Sequence, residues 1–273
     1  MHGLERILDY LACPGCRRGP LRSNTSLVCC ACGSEYPILE GIPCLREPRE
    51  SSNGAADDWS DHWSVENQAH LAQRFFSFYR KVVFARAVNY FLEGYFPDRG
   101  VFVEAGAGTG ETSSRVAKHG GARFLVAVDV LMAVLRQCHP IMDVRLCADI
   151  FSLPFQNGSI DGIWNVGVME HFTREQIDIA LREFHRVPKH GGRVILLWPS
   201  TTSVPQQMLR LVEWLINHGA NGKRFRFHPD EISQLSSSRE GRGVLRRNGF
   251  RPLHIDTGPR SAMAFMTLVG EKL

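Results

Sequence analysis

Two groups of residues in this chain have the types and spacing that chemistry needs. The first is LACPGCRRGPLRSNTSLVCCACGSEYP, where Cys13-Pro-Gly-Cys16 and Cys29-Cys-Ala-Cys32 form two Cys-x-x-Cys pairs separated by twelve residues. Four thiolates so spaced meet the tetrahedral demand of Zn²⁺, with Zn–S bonds of about 2.3 Å, and a closed four-thiolate shell leaves no position open for catalysis. Cys30 can be exchanged into the set on paper; Cys29 is preferred because it preserves the second knuckle. The second group is VFVEAGAGTGETS, residues 101–113. A strand delivers Glu104, and Gly106, Gly108 and Gly110 permit a tight turn and close approach of backbone to a ligand. A helix is expected to open at about Glu111. The run LVAVD then ends at Asp129, about twenty residues past the turn, where a carboxylate can take both hydroxyls of a ribose.

A glycine turn with a distal acid suits a dinucleotide or S-adenosylmethionine. The spacing is G-x-G-x-G, not G-x-G-x-x-G, and a carboxylate just before the glycines is awkward beside a pyrophosphate. It suits an ammonium group, and S-adenosylmethionine has an ammonium, a sulfonium and no phosphate. The balance favours the methyl donor; the dehydrogenase reading survives only if the protein carries a nicotinamide nucleotide.

Further along stand CADIFSLPFQNGSIDGIWNVGVMEHF and LREFHRVPKHGGRVILLWPS. Together with EAGAGTG and Asp129, in order and spacing, they resemble the class I S-adenosylmethionine-dependent methyltransferases over about residues 63–273. The resemblance implies that Glu104, Gly106, Gly108 and Gly110 hold the methionine part and Asp129 the ribose. Asp149 with Ile150 would hold the adenine, and Asn165, at the tip of the fourth strand, would face the methionine moiety. It also implies a helix–turn–strand in HRVPKHGGRVILL, with Gly191 and Gly192 ending the helix. For Asp149 the plain alternative is a turn acid.

Methyl transfer from a sulfonium is an in-line displacement, so a protein mainly has to align donor and nucleophile, which alone supplies ~7–11 kcal/mol of barrier reduction. A general base is needed only when the nucleophile holds its proton tightly. His171 in V-M-E-H-F is the candidate base, with Glu170 similarly placed; the competing reading is a histidine that only hydrogen-bonds the sheet edge. No N-P-P-Y or D-P-P-Y follows the fourth strand, which disfavours planar amino groups as acceptors. Trp59, Trp63, Phe75, Phe76 and Tyr79 are candidates for a lid over the donor or for the packed face of a helix.

The front stretch, through YPILEGIP, resembles small zinc-ribbon proteins that activate RNA- and protein-modifying methyltransferases; related ribbons fused to ribosomal RNA guanine-N1 enzymes help hold RNA. Here residues 1–50 carry six basic and six acidic groups. Four thiolates on one zinc would make the ribbon net negative, a poor phosphate grip. The chain's net charge of +4 comes from residues 221–251, with eight basic and three acidic groups, GKRFRFHP among them. Three readings follow: a methyltransferase acting on a small-molecule metabolite, lipid or sugar; an RNA methyltransferase using the ribbon and 223–251; or a non-catalytic zinc-dependent scaffold. On sequence alone, Cys13→Ser is expected to release zinc without altering the donor site directly.

The elements that must position these groups divide the chain into a zinc ribbon (1–46), a polar linker (47–62) and a methyltransferase domain (63–273). The last has cap helices at 63–96 and a substrate-side insertion at 200–250. Apolar runs VFVE, FLVAVD, RLCAD, IDGIWN and RVILLW alternate with helical stretches. That pattern predicts an α/β fold, a Rossmann-like, seven-stranded, mostly parallel doubly wound sheet with helices on both faces. Cys138 and Cys147 sit in apolar surroundings and read as small core residues. No run approaches eighteen apolar residues and no secretory h-region opens the chain, so a cytoplasmic location without a membrane span is expected.

Overall fold

The computed structural model describes residues 2–46 apart from 19 and 24, then 78–201, 207, 214 and 232–273. The linker segment, most of the expected cap helices and the stretch 223–231 lie outside the described residues. At the front, α1 (His2–Ile7) precedes β1 (Leu21–Ser23), β2 (Ser26–Cys29), β3 (Glu35–Leu39) and β4 (Ile42–Leu45), each antiparallel to the next. The β3–β4 hairpin turns on two residues, Glu40 (φ 53°) and Gly41 (φ 77°). Positive φ at both central positions matches the right-handed twist of the flanking strands.

After a π-helical turn at Arg80–Phe84, α2 (Ala85–Tyr95) leads to β5 (Gly100–Ala105) and β6 (Arg123–Asp129). Next come α3 (Met132–Arg136), β7 (Val144–Ala148), β8 (Ile160–Val166) and α4 (Arg174–Arg186). The chain ends with β9 (Pro188–Pro199), α5 (Ser238–Arg247), β10 (Phe250–Asp256) and β11 (Phe265–Lys272).

One sheet runs through the molecule in the order β1-β2-β3-β4-β7-β6-β5-β8-β9-β11-β10. The expected seven strands are β5 to β11, parallel from β7 to β9 and antiparallel at β11 and β10. The count of seven is corrected to eleven, because β4 lies parallel on β7, pairing Cys44 with Cys147 and Leu45 with Ala148. The front strands thereby continue the main sheet and cover its β7 edge, which would otherwise present unpaired backbone groups.

Side chains alternate across a strand, and the burial follows this. Val101, Val103, Phe124, Val126, Val194 and Leu196 face one core, where α4 and α5 contribute Ile177, Leu181, Val244 and Leu245. Phe102, Leu125, Ile195 and Leu197 face the other, with Val88, Phe91 and Leu92 of α2. Ile7, Leu11, Leu21, Leu27 and Tyr36 of the front unit belong to the first core, so that unit has no separate interior.

Helix α4 opens on a capping box, Thr173 with Gln176. It stops at Arg186 and not at Gly191 or Gly192, which is a second correction. Pro188 cannot continue a helix and starts β9, and the two glycines fall where β9 shifts register against β8. A third concerns Glu111. Only a single 3-10 turn, Glu111–Ser113, forms there.

Arg123, at the start of β6, has a fully buried side chain that donates to the carbonyls of Leu92, Phe96, Pro97 and Ala117 and pairs with Glu93. It supplies donors to carbonyls at and just past the C-terminus of α2. Arg123→Ala leaves these acceptors buried and is expected to cost about 3 kcal/mol in urea unfolding; a loss below about 0.5 kcal/mol would show that α2 closes without it.

Candidate functional site

The candidate residues gather at the C-terminal ends of β7, β6, β5 and β8. Strand order reverses between β5 and β8, the kind of switch point where an open α/β sheet leaves a crevice. After β5 the chain turns through Gly106 (φ 73°), Gly108 (φ 53°) and Gly110 (φ 64°). A Cβ on Gly106 would stand 2.6 Å from Val168 Cγ2, so the turn is locked against the loop after β8. The amides of Gly106 and Ala107 donate to Val128 O at 2.8 and 3.0 Å, tying the turn to β6.

Glu104 ends β5 and is 1% exposed. Thr112 Oγ1 donates to its Oε1 at 3.1 Å, and its Oε2 is buried with no hydrogen-bond partner. Burial pushes the carboxyl up to about 7, against the lowering effect of Ser113, Thr112 and Trp164; the charge of Asp129 adds to the rise. On the adjacent strand β8, Asn165 is fully buried; its Nδ2 donates to Ala105 O at 3.0 Å and its Oδ1 has no partner. Two buried acceptors on neighbouring strands are therefore left without donors, and buried polar groups are rarely left so.

Asp129 closes β6. Its Oδ2 accepts from Gly108 N at 2.8 Å and its Oδ1 from Leu131 N at 2.9 Å. Burial raises its pKa while these amides pull it down. Each oxygen retains a further lone pair. Asp149 follows β7 and accepts from Phe151 N at 2.9 Å, a turn-forming bond, with buried Ile150 beside it. His171 lies in the 3-10 turn Met169–His171 after β8, its Nε2 3.6 Å from Glu170 Oε1. Buried Glu170 also fixes the returning chain, its carbonyl accepting from Ile232 N and Ser233 N. Of the candidate lid residues only Tyr79 is described, its ring edge-on to Phe84 at 4.9 Å. The neighbouring Lys81 pairs with Glu111 at 3.1 Å, which brings this helical turn against the glycine loop.

Thr112, which donates to Glu104, and Ser113 and Trp164, whose presence lowers its carboxyl pKa against burial, were not singled out from the sequence. The first two stand in the stretch GETS, where hydroxyls after a glycine turn are the available signal; Trp164 is visible only in three dimensions, its Nε1 donating to Ser113 Oγ at 3.2 Å.

The four cysteines form a second cluster. Their sulfurs lie within 4.8 Å of one another, Cys13 to Cys32 at 3.7 Å and Cys16 to Cys29 at 3.5 Å. A tetrahedral Zn–S bond of about 2.3 Å sets sulfurs about 3.8 Å apart, so the group fits that ion. Cys30 is exposed and outside the cluster.

Residues 103–196 match the Methyltransferase domain family. The chain is 34% identical over 101 residues to malonyl-[acyl-carrier protein] O-methyltransferase of Herminiimonas arsenicoxydans, covering 37% of each. It is 28% identical over 169 residues to the ubiquinone/menaquinone biosynthesis C-methyltransferase of Syntrophotalea carbinolica, covering 56% of this chain and 69% of that one. It thus spans well under half of the first and about two thirds of the second. A 53-residue stretch is 44% identical to a UPF0434 protein of Vibrio vulnificus, covering 18% of this chain and 88% of that protein. Among solved structures, magnesium protoporphyrin IX methyltransferase from Synechocystis, with bound S-adenosylhomocysteine, is similar in fold. The TM-score is 0.51 at 16% identity, over 80% of this chain and 94% of that one. The chain thus carries a methyltransferase domain over residues 103–196, and its 53-residue stretch belongs with the UPF0434 proteins.

Proposed function

We propose that the chain binds S-adenosylmethionine across β5, β6 and β7 and transfers its methyl group to a small-molecule acceptor. The observation that carries this reading is the pair of donorless buried acceptors, Glu104 Oε2 and Asn165 Oδ1. An ammonium has N–H donors and a positive charge for them; a pyrophosphate has neither. Glu104 and Asn165 then hold the amino-acid end, Asp129 the ribose, and Asp149 with Ile150 the adenine. When bound, the donor supplies a methyl on a sulfonium, a good leaving group. The chain's own task is alignment and exclusion of water. His171, beside Glu170, is placed to take a proton from an acceptor that needs to lose one. Cys13, Cys16, Cys29 and Cys32 hold zinc in a closed, structural shell.

The two methyltransferase relatives are named for a malonyl-[acyl-carrier protein] and a quinone pathway, which supports a small acceptor over RNA. The front unit's cations add to that support. Arg6 lies over the Phe124 ring, Arg17 pairs with Glu183 and Arg46 donates to Val130 O, so three of its arginines serve internal contacts instead of phosphates.

Asp129→Ala is expected to weaken S-adenosylhomocysteine by about 100-fold, from two lost charge-assisted hydrogen bonds; unchanged affinity in a calorimetric titration sinks the donor assignment. Elemental analysis should find one zinc per chain, lost in Cys13→Ser. His171→Ala should lower turnover by roughly 10²–10⁴ where the acceptor is an alcohol, and unchanged turnover on such an acceptor makes it a bystander.

Glu104 gives a prediction in pH. Its carboxyl is raised from 4.5 to about 7 by burial, so the folded chain holds the proton that the unfolded chain releases, and stability falls as pH rises from about 4.5 to about 7. Glu104→Gln escapes this loss. The ligand-free variant should melt above wild type at pH 8 and level with it at pH 5, and it should bind the donor poorly at both. Equal melting temperatures at pH 8 would mean that the carboxyl is not held in a costly environment.

A further inference from the structure

The two loops assigned above to the adenosine end are both fastened by the front unit. On the β7 side, residues Tyr10–Ala12 run along Pro154–Gln156: Ala12 N donates to Pro154 O at 3.1 Å, Gln156 N to Tyr10 O at 2.8 Å, and Leu11 bridges Phe155. Arg17 closes the first cysteine knuckle, its amide donating to Cys13 O at 2.8 Å from a left-handed backbone (φ 56°). Its guanidinium reaches Glu183 Oε1 at 3.0 Å and Ser152 Oγ at 3.4 Å. Glu183, 5% exposed on α4, accepts Leu153 N on its other oxygen at 2.9 Å. Arg186 of α4 holds the same carboxylate and the Leu153 carbonyl, and Arg17 adds a tie from the cysteine knuckle to the backbone three residues past Ile150.

On the β6 side, Arg46 donates to Val130 O at 2.8 Å, one residue past Asp129. Glu40, on the β3–β4 turn, grips Arg136 of α3 with two parallel bonds of 2.8 and 3.0 Å. Between these two attachments β4 pairs with β7. A unit meant only to cover the sheet edge needs that strand pairing. It does not need separate charged contacts to the loops on either side.

We propose that the front unit is a clamp for the adenosine end of the donor, with Arg17 and Arg46 as positioning residues for the loops after β7 and β6. The clamp rests on the donor reading given above. It acts on affinity through loop geometry, without touching the ligand.

The test is calorimetric titration of the full chain with S-adenosylhomocysteine and, separately, with adenosine. Arg17→Ala and Arg46→Ala are each expected to weaken both ligands by the same factor, about threefold to tenfold. Arg46→Lys, which keeps a donor for one carbonyl, should restore most of the loss. Arg22→Ala, an exposed arginine on β1, should change nothing. Glu104→Gln provides the contrast, weakening S-adenosylhomocysteine while leaving adenosine bound as in wild type. Cys13→Ser, which frees the knuckle, should weaken adenosine at least as much as Arg17→Ala. If it does not fold, the two arginine variants still decide. Wild-type affinity for both ligands in both arginine variants overturns the clamp, as does a loss confined to S-adenosylhomocysteine. A wild-type chain that binds neither ligand removes instead the donor reading on which the clamp depends.

Discussion

A carboxyl group buried at the end of the central strand is the constraint around which the site is arranged. Glu104 is almost wholly removed from water and one of its oxygens is unpartnered. Removing such a group from water costs free energy unless a partner restores what is lost. Asp129, one strand away, is raised by burial as well. Two acids held in this way make the crevice receptive to positive charge and hostile to phosphate. The glycine turn serves the same end. It removes side chains where backbone and ligand must approach, and Val168 occupies the space a Cβ on Gly106 would need. On the donor reading proposed above, the charge of the bound molecule would be selected by burial, before any contact with an acceptor.

Holding that acid requires a rigid floor. Thr112 donates to it and Trp164 fixes the neighbouring Ser113 in the turn after Gly110, while Arg123 closes α2 over the other end of the sheet. The front unit contributes to the same floor from the β7 edge. Four short strands cannot bury enough apolar surface by themselves; here they share the first core, where Leu27 and Tyr36 belong to the same cluster as Val126 and Leu146.

The succession of strands from β5 to β9 and the positions of Glu104, Asp129 and Asn165 at strand ends were legible in the sequence because both depend on local patterns. β-Branched runs mark strands, and acids at strand ends mark the crevice. What failed to show depends on competition or on distance. The segment after Gly110, ETSSRVAKHGG, is rich in Ser, Thr and Gly, which compete poorly for a helix, so the expected helix shrinks to one turn. Pro188 overrules the glycines that follow it. The run IPCL in β4 reads as a strand, yet nothing within it names β7 as its partner, about a hundred residues on. Charge counting in the front unit found neutrality and could not find that Arg17 and Arg46 reach across to Glu183 and Val130.

That last point alters what a metal at the four cysteines does. A closed thiolate shell offers no coordination to a substrate, and the simplest expectation is that it affects stability alone. Here the carbonyl of one ligand residue, Cys13, holds the amide of Arg17, and the Arg17 side chain holds the acid that fixes Leu153. The bonds that shape the knuckle are continuous with those that shape the loop after β7. On the proposed clamp, stability of the front unit and geometry of the crevice are two readings of one network, and a metal held there would govern affinity for a ligand it never meets.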